Sequence, residues 1–424
     1  MSNTTTEHQP PRLAISYSAG FWTVALAFVV VMAIGALPTP LYVLYERRDH
    51  LTGFVVTVIF AAYALGVIAS LFLAGHVSDW FGRRRILVPA IALQASAAGV
   101  FALWPSLPGL LVARVISGLA VGATTATATA YLAELYQARS RRTSGRRAEL
   151  VAIGGNLGGI GLGPLSAGLI AQFLPDPLVL PYVVFGALAL VLALAASLVP
   201  ETAGVAQRPP YRTQRISVPP AGRRRFFAAA AGGAIAFAVL GLFTSLAPSF
   251  LALTLGYGSH ALAGATAFLV FAAGAVSQSL VARLGARRLS AIGIVLLLSG
   301  LALVTAATWL PDLAAFLAGG LLSGAGAGLL VKGGIDTVLD LVAPDARAEG
   351  LATFFLAAYV GLSVPIVGLG LATQYVSARV SLLGFAGLLV VGLVVVGRSQ
   401  LGSPQRPHKR RRGQTEINYQ GATS

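Results

Sequence analysis

The sequence predicts an all-α integral membrane protein of twelve transmembrane helices, set out as two pseudo-symmetric six-helix bundles. Three observations predict it. The 424 residues are 56% hydrophobic and only 10% charged, with a mean hydropathy of +0.79, where a soluble domain carries roughly 25% charged residues. Twelve apolar runs follow one another, each near the ~20 residues a helix needs to cross a ~30 Å hydrocarbon core. One long interior polar stretch divides the runs six and six, and several landmarks of the first half return in the second.

The runs lie at about 20–42, 54–74, 86–104, 108–133, 148–173, 179–199, 226–253, 261–283, 289–309, 312–337, 348–376 and 378–397. A span without water must satisfy every backbone N–H and C=O internally, so each run is expected to be helical. A barrel does not fit, because the runs are long and lack alternation. The first run is too long for the apolar region of a signal peptide and has no clear cleavage site, so it reads as a retained span. Around the spans, residues 1–18 form a polar segment expected to be disordered, 19–199 the first bundle, 200–225 a linker, 226–398 the second bundle and 399–424 a basic tail expected not to fold. The linker carries Pro209, Pro210, Pro219 and Pro220 and six arginines. Tyr42 and Tyr45, at the end of the first run, read as interfacial aromatics, with Glu46 and Asp49 in the first outer loop.

The formal net charge of +16 suggests nucleic-acid binding, but its distribution argues against it. With the N-terminus inside, 25 of the 30 lysines and arginines fall on inner segments, three (Arg47, Arg48 and Arg379) on outer loops, and two (Arg114 and Lys332) within spans. That is the positive-inside bias of a multi-pass plasma-membrane protein with both termini in the cytoplasm. The run from Lys409 to Arg412 is expected to touch anionic headgroups, at about 1 kcal/mol per residue, rather than nucleic acid. There is no cysteine, which excludes disulfides, thiolate chemistry and cysteine-held metals. His8, His50, His76, His260 and His408 are scattered over terminal or loop segments. No zinc pattern, GxSxG or Walker A sequence is present. Neither an enzyme nor a cofactor is expected, nor ATP-driven pumping by this chain alone.

The halves read as a diverged repeat. Gly82 matches Gly285, Pro164 matches Pro365, Ala148-Glu149 matches Ala348-Glu349 and Glu134 matches Asp340, at offsets of 200–206. An aspartate has no counterpart in the second half, since position 282 is alanine.

Between the second and third runs stands Gly75-His76-Val77-Ser78-Asp79-Trp80-Phe81-Gly82-Arg83-Arg84-Arg85. This GxxxDxxGRR spacing resembles the signature loop of the major facilitator superfamily, and the resemblance extends over residues of about 20–398. It implies two parallel six-helix halves with a solute site between them near midplane. It also implies a charge latch on the inner face, in which Asp79 faces the N-terminus of the eleventh helix, where the dipole favours an anion, and the motif arginine Arg83, with Arg84 beside it, pairs with Glu134. Glu134 lies 20 residues beyond Arg114, about 30 Å along a helix, so it reaches the inner end. Gly75 and Gly82 would permit the tight turning.

Three further sites stand out. Arg114-Val115-Ile116-Ser117-Gly118-Leu119-Ala120-Val121-Gly122 resembles the superfamily's helix-4 pattern, whose arginine is implicated in proton coupling; the alternative is an arginine snorkelling to the outer surface. In the fifth span Gly159, Gly163, Pro164 and Gly168 match the antiporter pattern GxxxGPxxGG, while Ala167 replaces one glycine and Leu150 stands where the longer pattern has another. That pattern goes with proton-coupled efflux in the family; generic small-residue packing is the alternative. Lys332, Asp336 and Asp340 share one face of the tenth span, so Lys332 and Asp336 can pair. Repulsion between the two acids would make Asp336 a protonation site, against the alternative of an ion pair snorkelling to the cytoplasm. Gln94, Thr125, Asn156 and Gln278 are candidate cavity-lining residues. Many drug/proton antiporters of the superfamily carry an acid inside the first helix; this sequence has none there.

The resemblance implies a secondary transporter exporting small amphipathic organic compounds against protons by alternating access. Proton-coupled uptake of a neutral metabolite such as a sugar is the alternative, and a non-transporting membrane sensor a third reading. The expected partners are a small-molecule substrate, protons and the lipid bilayer, with the protein a monomer.

Overall fold

The computed structural model describes residues 15–74, 81–139, 145–202, 222–281, 284–343 and 346–401. Twelve helices among them are long and apolar enough to cross a membrane. They are α1 (Tyr17–Asp49), α2 (Gly53–Ala74), α3 (Arg83–Leu103), α4 (Leu107–Arg139), α5 (Arg146–Phe173) and α6 (Leu180–Ser197) in the first half. The second half holds α7 (Arg223–Ser245), α8 (His260–Leu280), α9 (Ala286–Trp309), α10 (Leu313–Leu341), α11 (Arg347–Ala372) and α12 (Ala378–Leu401). No strand occurs among the described residues. The start of α1 and the end of α12 share one face of the bundle, called here the termini face; the opposite is the far face.

Two spans depart from plain α-helix, each for a local reason. In α1 the helix ends at Ala36, and Pro38 and Pro40 force a single 3-10 turn over Thr39–Leu41 before helix resumes at Tyr42. Proline lacks the N–H that an α-turn needs and its ring crowds the preceding turn. In α5 a π-turn spans Gly154–Gly158, where three glycines in five residues leave the ladder free to slip.

Sequence reading stops the first span at about 42, but the helix continues to Asp49. Residues 42–45 pack inside the bundle as helix rather than forming a loop, while Arg47, Arg48 and Asp49 stay exposed. Tyr42 and Tyr45 are therefore buried, at 1% and 0% exposure, and are not interfacial aromatics.

The two halves pack alike. In the first, α4 contacts α1, α2 and α3, α1 contacts α5 and α6, and α3 contacts α6; each pairing recurs six helices later in the second half. The halves meet along two seams, α2 against α11 and α5 against α8, which exchange under the same shift. This is a twofold relation between bundles, as the offsets near 200 residues predict. Small residues bring the helices close. A Cβ on Gly118 would strike the Tyr63 carbonyl and Gly66 at the α2–α4 crossing, and one on Gly324 the Val270 carbonyl at the matching α8–α10 crossing. Backbones meet there because no side chain intervenes.

Candidate functional site

On the termini face, the N-terminus of α3 is the hub of a polar cluster. Gly82 adopts φ +102°, a conformation open mainly to glycine. Arg83 then points its guanidinium at Glu134 near the end of α4: Nη2 donates to Oε1 at 2.8 Å and Nε at 3.1 Å. The Thr202 hydroxyl donates to the other carboxylate oxygen of Glu134 at 2.5 Å. The expected arginine–glutamate pairing is thus present in the geometry. Arg84 turns instead to the end of α6, donating from Nη1 to the carbonyls of Ser197 and Val199 at 3.1 and 3.3 Å. Gly75 and Asp79 lie outside the described residues.

Sequence reading missed Glu201, which it assigned to the linker. Its carboxylate accepts from the backbone N–H of Arg83 at 2.8 Å and of Arg84 at 3.1 Å. An acid from beyond α6 thereby satisfies two of the free donors at the α3 N-terminus and meets the positive end of its dipole. A Cβ on Gly82 would stand 2.5 Å from Glu201 Oε2, so glycine is required twice over.

Deeper in the first half, Arg114 is 1% exposed. The snorkelling alternative does not hold. Its Nη1 donates to the Gly35 carbonyl at 2.6 Å and its Nε to the Tyr42 hydroxyl at 3.0 Å, with Nη2 donating to the same hydroxyl. The rings of Tyr42, Tyr63 and Phe60 surround the guanidinium at 5.5, 5.6 and 5.8 Å. The kink at Pro38 and Pro40 brings Tyr42 to this position. Gly35, one turn before the kink, has no Cβ to crowd Val121 and Tyr63. Among the described residues Arg114 makes no ion pair. Tyr45, one turn on, meets the Tyr182 hydroxyl at 3.4 Å, and Tyr182 stacks on Phe101.

The antiporter-like residues of α5 face two ways. Gly159 and Gly163 abut the Val29 and Ala33 backbone of α1, inside the first half. Gly168 abuts the His260 carbonyl and Gly264 of α8, across the seam, where the Pro164 carbonyl also meets Gly264. The candidate lining residues are dispersed. Gln94 is fully enclosed between α3 and α4, its Nε2 donating to Ser117 at 3.0 Å. Thr125 bonds back to the Val121 carbonyl, and Gln278 donates to the Gly328 carbonyl at the α8–α10 crossing. Asn156 is half-buried on the π-turn of α5.

Hydrogen bonds join the halves on the far face. Ser249 donates to Glu46 at 2.9 Å; Ser259 Oγ and the His260 N–H donate to Gln172 at 3.2 and 3.0 Å; Gln374 donates to Thr52 at 3.3 Å. Glu46 therefore belongs to a helix that meets the other half at Ser249 rather than to a loop. On the termini face, Lys332 of α10 approaches Asp336 of its own helix at 3.3 Å and Glu149 of α5 at 3.5 Å. The Lys332–Asp336 pair matches its spacing; the link to Glu149 across the seam was not legible from it. Asp340 is exposed.

The pattern of the Major Facilitator Superfamily matches residues 24–289. The chain belongs to this superfamily. A triacylglyceride transporter of Mycolicibacterium smegmatis is 39% identical over 111 residues, which cover 25% of this chain and 20% of that protein. The arabinose–proton symporter of Bacillus subtilis (strain 168) is 33% identical over 122 residues, 29% of this chain and 25% of the symporter. The chain thus matches a quarter or less of the length of these relatives. The crystal structure of the nucleoside transporter NupG superimposes with a TM-score of 0.71 at 14% identity, over 90% of this chain and 99% of that one, which establishes the shared fold. As a member of the superfamily with twelve apolar helices, the protein is a multi-pass membrane protein.

Proposed function

We propose that this superfamily member is a secondary transporter that exports small amphipathic organic compounds in exchange for protons, its two halves rocking about a site between them. The observation that carries the reading is the α5–α8 seam. There Pro164 and Gly168, the end of the antiporter-like run, lie directly against the other half, so the resemblance and the moving boundary coincide at these two residues, while Gly159 and Gly163 pack on α1. Closure of the far face supports a position at one end of a rocking cycle. Four inter-half hydrogen bonds hold that face among the described residues, each worth about 0.5–1.5 kcal/mol. On the termini face the Lys332–Glu149 contact, whose glutamate side chain is 49% exposed, adds about 0–1 kcal/mol. Gly75, Asp79, Gly82, Arg83, Arg84 and Glu134 serve as the inner latch, Arg114 and Asp336 as residues that couple protons to the solute, and the basic tail as a contact with anionic headgroups. The termini lie in the cytoplasm, and the protein works as a monomer in the plasma membrane.

A second reading is proton-coupled uptake of a neutral metabolite such as a sugar, favoured by the similarity to the arabinose–proton symporter. The discriminating experiment uses inside-out vesicles energised to an acidic lumen and a panel of amphipathic compounds. Protein-dependent lumenal alkalinisation on addition of a compound is the expected result. Sugar-driven proton movement in right-side-out vesicles, with none in the first assay, would favour uptake instead.

A further inference from the structure

The outer flank of the second half carries a groove built on helices outside both seams. There α9 and α12 pack side by side, and small residues on each, Ala302, Ala306 and Gly387 among them, leave a trough of about 660 Å³ walled by leucines and a valine. A Cβ on Gly387 would meet nothing within 4 Å. At the far-face end of the trough Trp309 also lines a second pocket, of about 480 Å³, together with Thr254, Ser377 and Arg379. The two form one groove, with an apolar stem and a polar mouth.

Its length and its charge both point to an occupant. Along α9 the groove runs from Trp309 to Leu298, and along α12 from Arg379 to Val390. Each stretch is about 16 Å of helix, half of a ~30 Å hydrocarbon core and so one leaflet deep. Every polar side chain at the mouth can donate a hydrogen bond, and no acid lines it. Arg379 is half-buried, and among the described residues neither its side chain nor those of Thr254 and Trp309 has a hydrogen bond or ion pair. The Ser377 oxygen accepts from the Val380 N–H at 3.5 Å, which leaves its O–H to donate. Asp312, just beyond Trp309, is turned away to cap α10, accepting from the N–H groups of Ala314 and Ala315 at 2.8 and 3.3 Å. Arg379 also stands in the first turn of α12, where the helix dipole disfavours a cation. An anion at this mouth answers the guanidinium and the dipole together.

We propose that this groove binds an anionic phospholipid of the far-face leaflet. The phosphate sits at Arg379, Thr254 and Ser377, Trp309 lies at headgroup level as interfacial tryptophans do, and one acyl chain follows α9 and α12. The occupant is a lipid rather than a soluble anion because the donor-lined mouth opens directly onto an apolar stem one leaflet deep. It is a resident lipid rather than a solute in transit because the groove lies within one half, on a flank that rocking of the halves neither opens nor closes. Since the mouth draws residues from the ends of α7, α9 and α12, the headgroup ties three helix ends together. The site is independent of the transport reading, and its test involves no flux.

The test uses the full chain in phosphatidylcholine nanodiscs, with a small fixed fraction of the lipid replaced by brominated phosphatidylglycerol or brominated phosphatidylcholine. Bromine quenches a nearby indole, and subtracting the signal of Trp309→Phe isolates Trp309 from the other tryptophans. At equal mole fraction the phosphatidylglycerol should occupy the site about fivefold more strongly than the phosphatidylcholine, the effect of one arginine near a membrane surface. Arg379→Gln should erase that preference and Arg379→Lys should keep most of it. Gly387→Leu, whose side chain enters the open trough, should weaken quenching of Trp309 by both lipids. Equal quenching by the two lipids, a preference indifferent to residue 379, or Gly387→Leu without effect would each overturn the proposal. So would inorganic phosphate abolishing the preference at constant ionic strength, which would make the mouth a free-anion site.

Discussion

At the scale of single residues, Tyr42 and Gly82 are the positions on which most rests. Tyr42 accepts from two nitrogens of a buried cation, and Tyr42→Phe should lower stability by about 1–3 kcal/mol, the cost of unsatisfying a buried polar group. Tyr45→Phe loses only the long 3.4 Å contact to Tyr182 and should cost about 1 kcal/mol or less. Denaturant unfolding of both reconstituted variants decides; equal losses would mean that Tyr42 does not hold Arg114. Gly82→Ala combines a positive φ with a collision against Glu201 and should cost about 1–3 kcal/mol. Glu201→Gln keeps the acceptors but removes the charge from an exposed helix terminus, about 0.3–1 kcal/mol. The reverse order in the same unfolding assay would remove Glu201 from its capping role. The pairing of Arg83 with Glu134 was legible from the resemblance and from a count along one helix. Tyr42 was not legible, because its partner lies 72 residues away and is reached only through the turn that Pro38 and Pro40 impose. Glu201 was not legible either, because an acid just past a helix end reads as linker until its contact to α3 is known.

At the scale of elements, hydropathy found all twelve spans because a bilayer demands long apolar runs. It erred at the end of α1, where Glu46, Arg47, Arg48 and Asp49 lower the mean although the helix continues. The glycines of α5 were visible in sequence, but not the direction each faces. Gly163 packs within the first half and Gly168 across the seam; the π-turn at Gly154–Gly158 precedes both and alters which face each presents. The two positions should therefore respond differently. Gly168→Val should push α5 from α8 at the far face and leave the fold intact, whereas Gly163→Val should destabilise the first half by wedging α5 from α1. The chain has no cysteine, so a single Ser259→Cys reports far-face exposure against no background. Faster maleimide labelling of that cysteine in the Gly168 variant is the expected outcome; unchanged labelling would mean that the α5–α8 contact does not hold the far face closed.

At the scale of the whole molecule, two bundles with matching helix pairings meet along two seams that exchange under one twofold relation. Such a boundary admits two alternative closures, one on each face. Far-face closure rests on several hydrogen bonds and on glycine-mediated backbone contact. Among the described residues a partly exposed pair, Lys332 and Glu149, crosses the termini face, so Lys332→Gln should move the conformational equilibrium by less than about fivefold. A larger shift in the distances described next would place Lys332 among the principal gates. The most direct test of rocking uses spin labels at introduced cysteines, one pair on the far face at Leu174 and Tyr257 and one on the termini face at Arg146 and Asp340, read by pulsed dipolar spectroscopy while pH and candidate solutes are varied. The account predicts two populations for each pair, with the far-face pair lengthening whenever the termini-face pair shortens. Distances that change together, or a single unchanging population for both pairs under every condition, would contradict it.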